Sequence, residues 1–240
     1  MRLGAVLWLG IVVVTMALPA LSEARSRPPQ RAAWRRPSIR TQVPTATNTP
    51  LPRKEVFDLA LQAYRCGVDA GTFEPGLLTV IDFSLPSTAK RLWVIDVPRQ
   101  RVLFHELVAH GEGSGENYAN EFSNEPGSRQ SSIGVFRTAD VYRGGNGISL
   151  RLTGLEPGVN DLAMERRIVM HGADYVSTRA VAALGRLGRS WGCPALPRGV
   201  HRRVIERIKG GSALFAYYPD PRWLRESRFL RCGVTRVASR

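Results

Sequence analysis

The stretch Arg91-Leu92-Trp93-Val94-Ile95-Asp96-Val97 is followed by Pro98-Arg99-Gln100 and then by Arg101-Val102-Leu103-Phe104-His105-Glu106-Leu107-Val108. Two runs rich in β-branched and aromatic residues, split by a short turn-forming segment, predict a β-hairpin. Outward from it the same pattern recurs. Leu77 to Phe83 predicts a strand before the hairpin, and Ile133–Phe136, Ile148–Leu152, Arg167–Met170 and Ser212–Tyr218 predict strands after it. Val56, Leu59, Ala60 and Ala63 recur at helical spacing, so an amphipathic helix is expected over 54–66, ending at Gly67. A second helix fits 198–209, before Gly210-Gly211. Residues 111–130 are rich in Gly, Ser, Asn and Glu and read as a long polar loop, a feature that compact domains use as lids or binding loops. Strands do not alternate regularly with helices, so the expected fold class is a β-rich mixed (α+β) single domain with a few short helices.

The ends of the chain read differently. Residues 1–24 have the form of a secretory signal peptide: Arg2 is the basic start, Leu3 to Leu18 is almost wholly apolar, and Ser22-Glu23-Ala24 offers small residues for cleavage. The apolar run is shorter than the roughly 20 residues a spanning helix needs. Export to the periplasm or cell envelope is therefore expected. Residues 25–52 hold Pro28, Pro29, Pro37, Pro44, Pro50 and Pro52 without an apolar period, the composition of a basic, disordered linker. The folded body is expected over 53–218, with a basic tail over 219–240.

A net charge of +14 raises nucleic acid or an anionic surface as a partner. The charge is not spread evenly. Residues 25–54 carry eight basic and no acidic side chains, residues 198–240 carry eleven basic and three acidic, and residues 55–197 come to −2. A near-neutral middle argues against nucleic acid and for a tether to an anionic envelope surface through the flanks.

Three cysteines cannot build a disulfide scaffold, and in an oxidising compartment one is left over. Cys66 lies near the start of the body and Cys232 near its end. A bridge between them would spare Cys193; a bridge through Cys193 is the alternative.

Two short segments carry candidate chemistry. Ile168-Val169-Met170-His171-Gly172-Ala173 is an apolar strand ending in His-Gly, and Arg189-Ser190-Trp191-Gly192-Cys193-Pro194 sets a thiol among turn residues. A thiol is a strong nucleophile only as thiolate and needs a base or a positive environment. His171 offers the base, and Gly192 permits a tight turn that aims backbone N–H groups at one point, as an oxyanion hole requires. Taken alone, Cys193 is equally consistent with a buried inert thiol and His171 with a satisfied interior histidine. His105, His110 and His201 read as structural or solvated. No paired Cys/His spacing suggests a metal site, and no cofactor is implied.

Together the two segments resemble the L,D-transpeptidase (YkuD-type) catalytic domain of bacterial cell-wall enzymes. Ser131-Ser132-Ile133-Gly134-Val135-Phe136 is similar to that family's small-residue strand upstream of the histidine. One branch, the murein L,D-transpeptidase catalytic domain family, is resembled further by Val108-Ala109-His110-Gly111, Ser114-Gly115, Phe122-Ser123-Asn124, Ser149-Leu150-Arg151-Leu152, Gly154-Leu155-Glu156 and Asn160-Asp161. The resemblance covers about 55–218.

The resemblance implies a YkuD-like L,D-transpeptidase fold with Cys193 as nucleophile and His171 as base. The Gly172 backbone carbonyl would orient the imidazole, the backbone N–H groups of Gly192 and Cys193 would hold the oxyanion, and Ser190 would frame the turn. It also implies peptidoglycan stem peptides as substrate, exchange of a terminal D-alanine for an amine, and acylation of Cys193 by carbapenem-type inhibitors. Trimming of tetrapeptides by an L,D-carboxypeptidase and a catalytically silent wall-binding module are the alternatives. The chain departs from the broader pattern at Trp191, where a second histidine is common, and at Ala195, where Arg or Asn is usual. His171 is then the one local base in the motif, and Arg186 or Arg189 becomes the candidate for the substrate carboxylate, beside Trp191.

Overall fold

The structure, a computed structural model, describes residues 49–232. The predicted signal peptide and residues 25–48 of the predicted linker lie outside the described residues. The body begins slightly before the expected boundary, because the Trp93 indole N–H donates to Pro50 O at 2.8 Å and Pro52 is buried.

Helix α1 (Lys54–Asp69) turns Val56, Ala60, Ala63 and Tyr64 inward against strands β1 (Leu77–Asp82) and β8 (Ala213–Tyr217). It does not stop at Gly67. A Cβ there would lie 2.0 Å from Phe73 Cε2, so this glycine makes room for an aromatic ring rather than ending the helix. The predicted hairpin is β2 (Leu92–Asp96) and β3 (Arg101–Glu106), antiparallel, with Leu92 opposite Glu106.

Strands β4 (Gly134–Gly144) and β5 (Gly147–Gly154) extend well beyond their predicted lengths. The outer half of β4 holds the exposed polar residues Asp140 and Arg143, which hide a strand from a reading based on apolar runs. Strands β6 (Val169–Ala173) and β7 (Ala195–Pro197) complete one eight-stranded sheet in the order β3-β2-β1-β8-β4-β5-β6-β7. Pairing is parallel at β1/β8 and β6/β7 and antiparallel elsewhere. The short helix α2 (Thr178–Leu184) and the edge strand β7 carry no signal strong enough to have been expected.

The pleat of β8 shows how the sheet is used. Leu214 and Ala216 enter the main core with Ile81, Leu150 and Met170, and with Val204, Ile205 and Ile208 of helix α3 (His201–Ile208). Phe215 and Tyr217 face the other way, where Phe215 lies 5.4 Å from the ring of Trp223. Trp223 belongs to helix α4 (Pro221–Glu226), whose Asp220 side chain caps the Trp223 N–H at 2.6 Å.

Residues 219–232, expected as a basic tail, are therefore part of the body. Trp223, Phe229 and Leu230 are buried, and Phe229 stacks on Phe73. The buried Glu156 carboxylate accepts from the Val135 N–H (2.7 Å), the Trp223 indole (3.0 Å) and the Ser227 hydroxyl, tying this segment to β4. Cys66 of α1 is bonded to Cys232 across 166 residues of sequence, which leaves Cys193 as the free thiol.

Candidate active site

Strand β6 starts at Val169, two residues later than expected. Arg167 adopts φ 56° and its N–H bonds to Met164 O at 3.1 Å, so it closes a turn and cannot continue the strand. The shift puts His171 in the middle of β6 rather than at its end. There it pairs in register with Ala195 of β7, and its N–H lies 3.4 Å from Pro194 O. Cys193 stands two residues before Ala195. The sheet thus places the histidine on β6 and the thiol in the turn that leads into the neighbouring β7, with Cys193 Sγ against the start of β6 at Val169.

The Cys193 turn is fastened from several sides. Ser190 Oγ donates to Cys193 O at 2.6 Å, Ser131 Oγ donates to Gly192 O at 3.0 Å, and the Ser190 N–H donates to His110 O at 3.0 Å. Gly192 holds φ +116°, and a Cβ on it would meet Gln130 O at 2.7 Å, so glycine is required both for the turn and for that close approach.

The Gly192 N–H, expected to hold an oxyanion, instead donates to Ser190 Oγ at 3.1 Å and closes the turn. Of the two expected donors, Cys193 N–H alone is without an acceptor among the described residues. Ser190 therefore has a mechanical task, bonding at both ends of the turn that carries the thiol.

His171 is buried, and its Nδ1 lies 3.2 Å from Gly172 O. A carbonyl can only accept, so Nδ1 carries the proton and Nε2 keeps its lone pair, the form a general base needs. Burial lowers the His171 pKa below its ordinary value; the Gly172 carbonyl opposes this, and Arg198 and His201 add to it. Burial raises the Cys193 thiol, against the Val169 N–H, which donates to Sγ at 3.4 Å, and against the positive charge of Arg166. Both shifts favour the uncharged forms, a thiol and a neutral imidazole.

Arg186 and Arg189 are drawn together, but onto a protein carboxylate. Arg186 Nε and Arg189 Nη1 reach the two oxygens of Glu116 at 2.7 and 2.8 Å, while Glu116 itself is 70% exposed. Arg189 also donates to Gly115 O at 2.9 Å. Trp191 stands 71% exposed immediately before Gly192, with the Arg129 guanidinium 4.8 Å from its ring centroid. Loop 111–130 is thus bound to the turn by its backbone, by ion pairs and by a cation–π contact. Glu112 N–H adds a bond to Ser190 O at 2.8 Å. It is a wall of the site.

One residue escaped sequence reading altogether. Arg166, just before β6, is half-buried and donates to Ser123 O, Ser128 Oγ, Gln130 O and Ser132 Oγ. Its position before a strand was the available signal, but nothing in the sequence separates a buried arginine from a solvated one. His105 stacks on Trp93 at 4.7 Å, and His201 is buried; neither joins the thiol. Among the described residues, no group of three His, Cys, Asp or Glu is placed to hold a metal ion.

The family model described as the L,D-transpeptidase catalytic domain matches residues 49–217. The chain belongs to that family. Solved L,D-transpeptidases are similar to this one at low identity. LdtMt1 in complex with imipenem is 16% identical, with 59% of each chain covered and a TM-score of 0.37. The L,D-transpeptidase from Mycobacterium smegmatis is 14% identical, covering 60% of this chain and 59% of that one, with a TM-score of 0.37. That from Stackebrandtia nassauensis is 12% identical, covering 70% and 68%, with a TM-score of 0.36. The chain spans about three fifths of the length of the first two. No curated protein matched the chain.

Proposed function

We propose that this protein is a transpeptidase that works through a cysteine thioester on peptidoglycan stem peptides. The observation that carries the reading is the register of β6 on β7. It sets His171, with Nδ1 committed to the Gly172 carbonyl, beside the turn that presents the free Cys193.

Cys193 Sγ attacks the carbonyl that joins a diamino acid to a terminal D-alanine, and His171 Nε2 takes the thiol proton. The developing oxyanion is met by the Cys193 N–H. The C–N bond breaks, the D-alanine amine leaves with the proton from His171, and a thioester remains on Cys193. An amine of a second stem peptide then displaces the thiol, which regains its proton. If water takes that place, the same residues act as an L,D-carboxypeptidase. A silent wall-binding module would bind without either outcome. Arg186 and Arg189 form the carboxylate-binding side of the site, with Trp191 as its exposed neighbour.

The predicted leader makes the protein an exported one of the periplasm or envelope. The basic flanks hold it to an anionic surface, an association that salt weakens.

Incubation with a carbapenem tests the mechanism. Wild-type protein is expected to gain one adduct mass and Cys193→Ala none, with Cys66 and Cys232 still bonded in both. An adduct retained by the alanine variant would remove Cys193 from the reaction. Products from disaccharide-tetrapeptides then separate the readings: cross-linked dimer for transpeptidation, tripeptide for trimming, neither for a silent module.

A further inference from the structure

We infer that Arg166 is a positioning residue that supplies the fixed positive charge beside Cys193 while clamping residues 123–132 against the cysteine turn. The role rests on the acyl-transfer reading for its purpose and on geometry for its existence.

The guanidinium has one amino group on Ser123 O and Ser132 Oγ (2.6 Å), and the other on Ser128 Oγ (3.1 Å) and Gln130 O (2.6 Å). Every acceptor is neutral. No ion pair is made with Arg166 among the described residues, so its charge is not cancelled by a bonded carboxylate. A half-buried cation arranged this way is unusual, since arginines removed from water normally gain a carboxylate. The bonded oxygens also show where the charge points. Gln130 O is the atom that crowds Gly192, next to the thiol. Cys193 Sγ lies 3.4 Å from Val169 N and 3.6 Å from the carbonyl of Arg167, the residue that follows Arg166.

The groups around the thiol favour no other source of positive charge. His171 on β6 is neutral at rest. Tyr175, after β6, is pushed up to about 12 by burial first and then by the cysteine's charge, so it stays protonated. Arg198 and His201 act on His171. Glu125 faces Arg166 electrostatically without an ion pair. Burial raises the thiol, and Arg166 is the side chain that opposes it through charge. The same four bonds hold the loop wall, so one residue does two separable things: it clamps the loop through its hydrogen bonds and faces the nucleophile with its charge.

Because Cys66 and Cys232 are bonded, Cys193 is the thiol that titrates among the three. The test is the pH dependence of Cys193 alkylation by iodoacetamide, read by intact mass on the folded, full-length mature protein. Arg166→Gln is expected to raise the alkylation midpoint by about one unit, roughly a tenfold loss of thiolate at a given pH. Arg166→Lys keeps the charge and is expected to stay near wild type. The Ser128→Ala/Ser132→Ala double variant loosens the clamp without altering charge and is expected to leave the midpoint in place. A wild-type midpoint in Arg166→Gln, or equal shifts in the Gln and Lys variants, would overturn the inference. If Arg166→Gln does not fold, a double-serine variant whose midpoint rises overturns it on its own. Alkylation needs no substrate, so a protein that titrates as expected yet forms no thioester would refute the acyl-transfer reading and leave the charge assignment standing.

Discussion

His110 accepts a hydrogen bond from a buried arginine, which fixes its ionisation. Arg91 Nη2 lies 2.7 Å from His110 Nδ1, and a guanidinium can only donate, so Nδ1 is unprotonated and the ring proton sits on Nε2, toward Gly115 O. Burial first, and the Arg91 charge second, lower the His110 pKa to about 4. Unfolded, this histidine titrates near 6.5. Between those values the unfolded chain binds the extra proton, so its contribution to stability is present above 6.5 and is lost as pH falls towards 4, at up to about 1.4 kcal/mol per pH unit. Denaturant titrations from pH 7 to 4.5 should show that slope, and His110→Asn, which keeps an acceptor towards Arg91 but does not titrate, should flatten it. An unchanged slope would assign the acid sensitivity to carboxylates. His110 also accepts the Ser190 N–H through its backbone, so the pair buttresses the cysteine turn. At this scale the sequence disclosed the chemistry unevenly. Cys193 and His171 stood out only together, through the order and spacing of their two segments that carry the family resemblance; alone, each was consistent with an inert thiol or a satisfied interior histidine. Arg166 and Arg91 did not, because an arginine's burial depends on elements far away in sequence. The reassignment of the Gly192 N–H to Ser190 Oγ likewise follows from a turn geometry that composition does not encode.

The strands were legible where both faces are buried and obscure where one end is wet. β1, β2 and β8 are apolar runs and lie close to where the sequence put them; the outer end of β4 is polar and was missed, while β5 starts one residue before and ends two residues after its expected bounds. Loop 111–130 was legible as polar and long, but its state was not. It holds to the turn through charge, and charge pairing across 70 residues has no local sequence signature. Its Glu116 carboxylate occupies the Arg186–Arg189 pair while remaining largely in water; desolvation pushes it up, and the charges and hydrogen bonds of Arg189 and Arg186 together outweigh that and hold it below the ordinary carboxylate range. The arginines are mostly covered and the carboxylate is not, so on the proposed reading a substrate carboxylate would displace Glu116 from the pair. Glu116→Gln is expected to lower KM for stem peptides a few-fold with kcat unchanged. A raised KM would show the contact to be a fastening of the loop, and the two arginines would lose their substrate role.

Along the sequence, the charge that dominates the composition lies mainly in the two flanks, and the disulfide links the ends of the described body between which the site is built. Cys66 lies on the first helix and Cys232 at the last described residue, with Cα atoms 5.7 Å apart. Around it Phe73 stacks on Phe229, and the Gln62 side chain donates to Leu230 O. The bridge therefore pins the C-terminal segment to α1, while α4 pins it to β4 and β8 through Trp223 and Glu156. Closing a loop of 166 residues removes much of the unfolded chain's freedom, worth about 5 kcal/mol in the chain-entropy model and about 2–5 kcal/mol in practice. The Cys66→Ser/Cys232→Ser variant should lose stability in that range, read from denaturant midpoints under oxidising conditions. Its Cys193 alkylation profile should match wild type, since no residue of the thiol's surroundings belongs to α1 or to the final segment. Stability equal to wild type would mean that Trp223, Phe229 and Leu230 alone hold the end of the chain. A shifted alkylation profile would mean that the ends of the chain and the cysteine turn respond as one unit, and the site could no longer be treated as set by β6, β7 and the loops beside them.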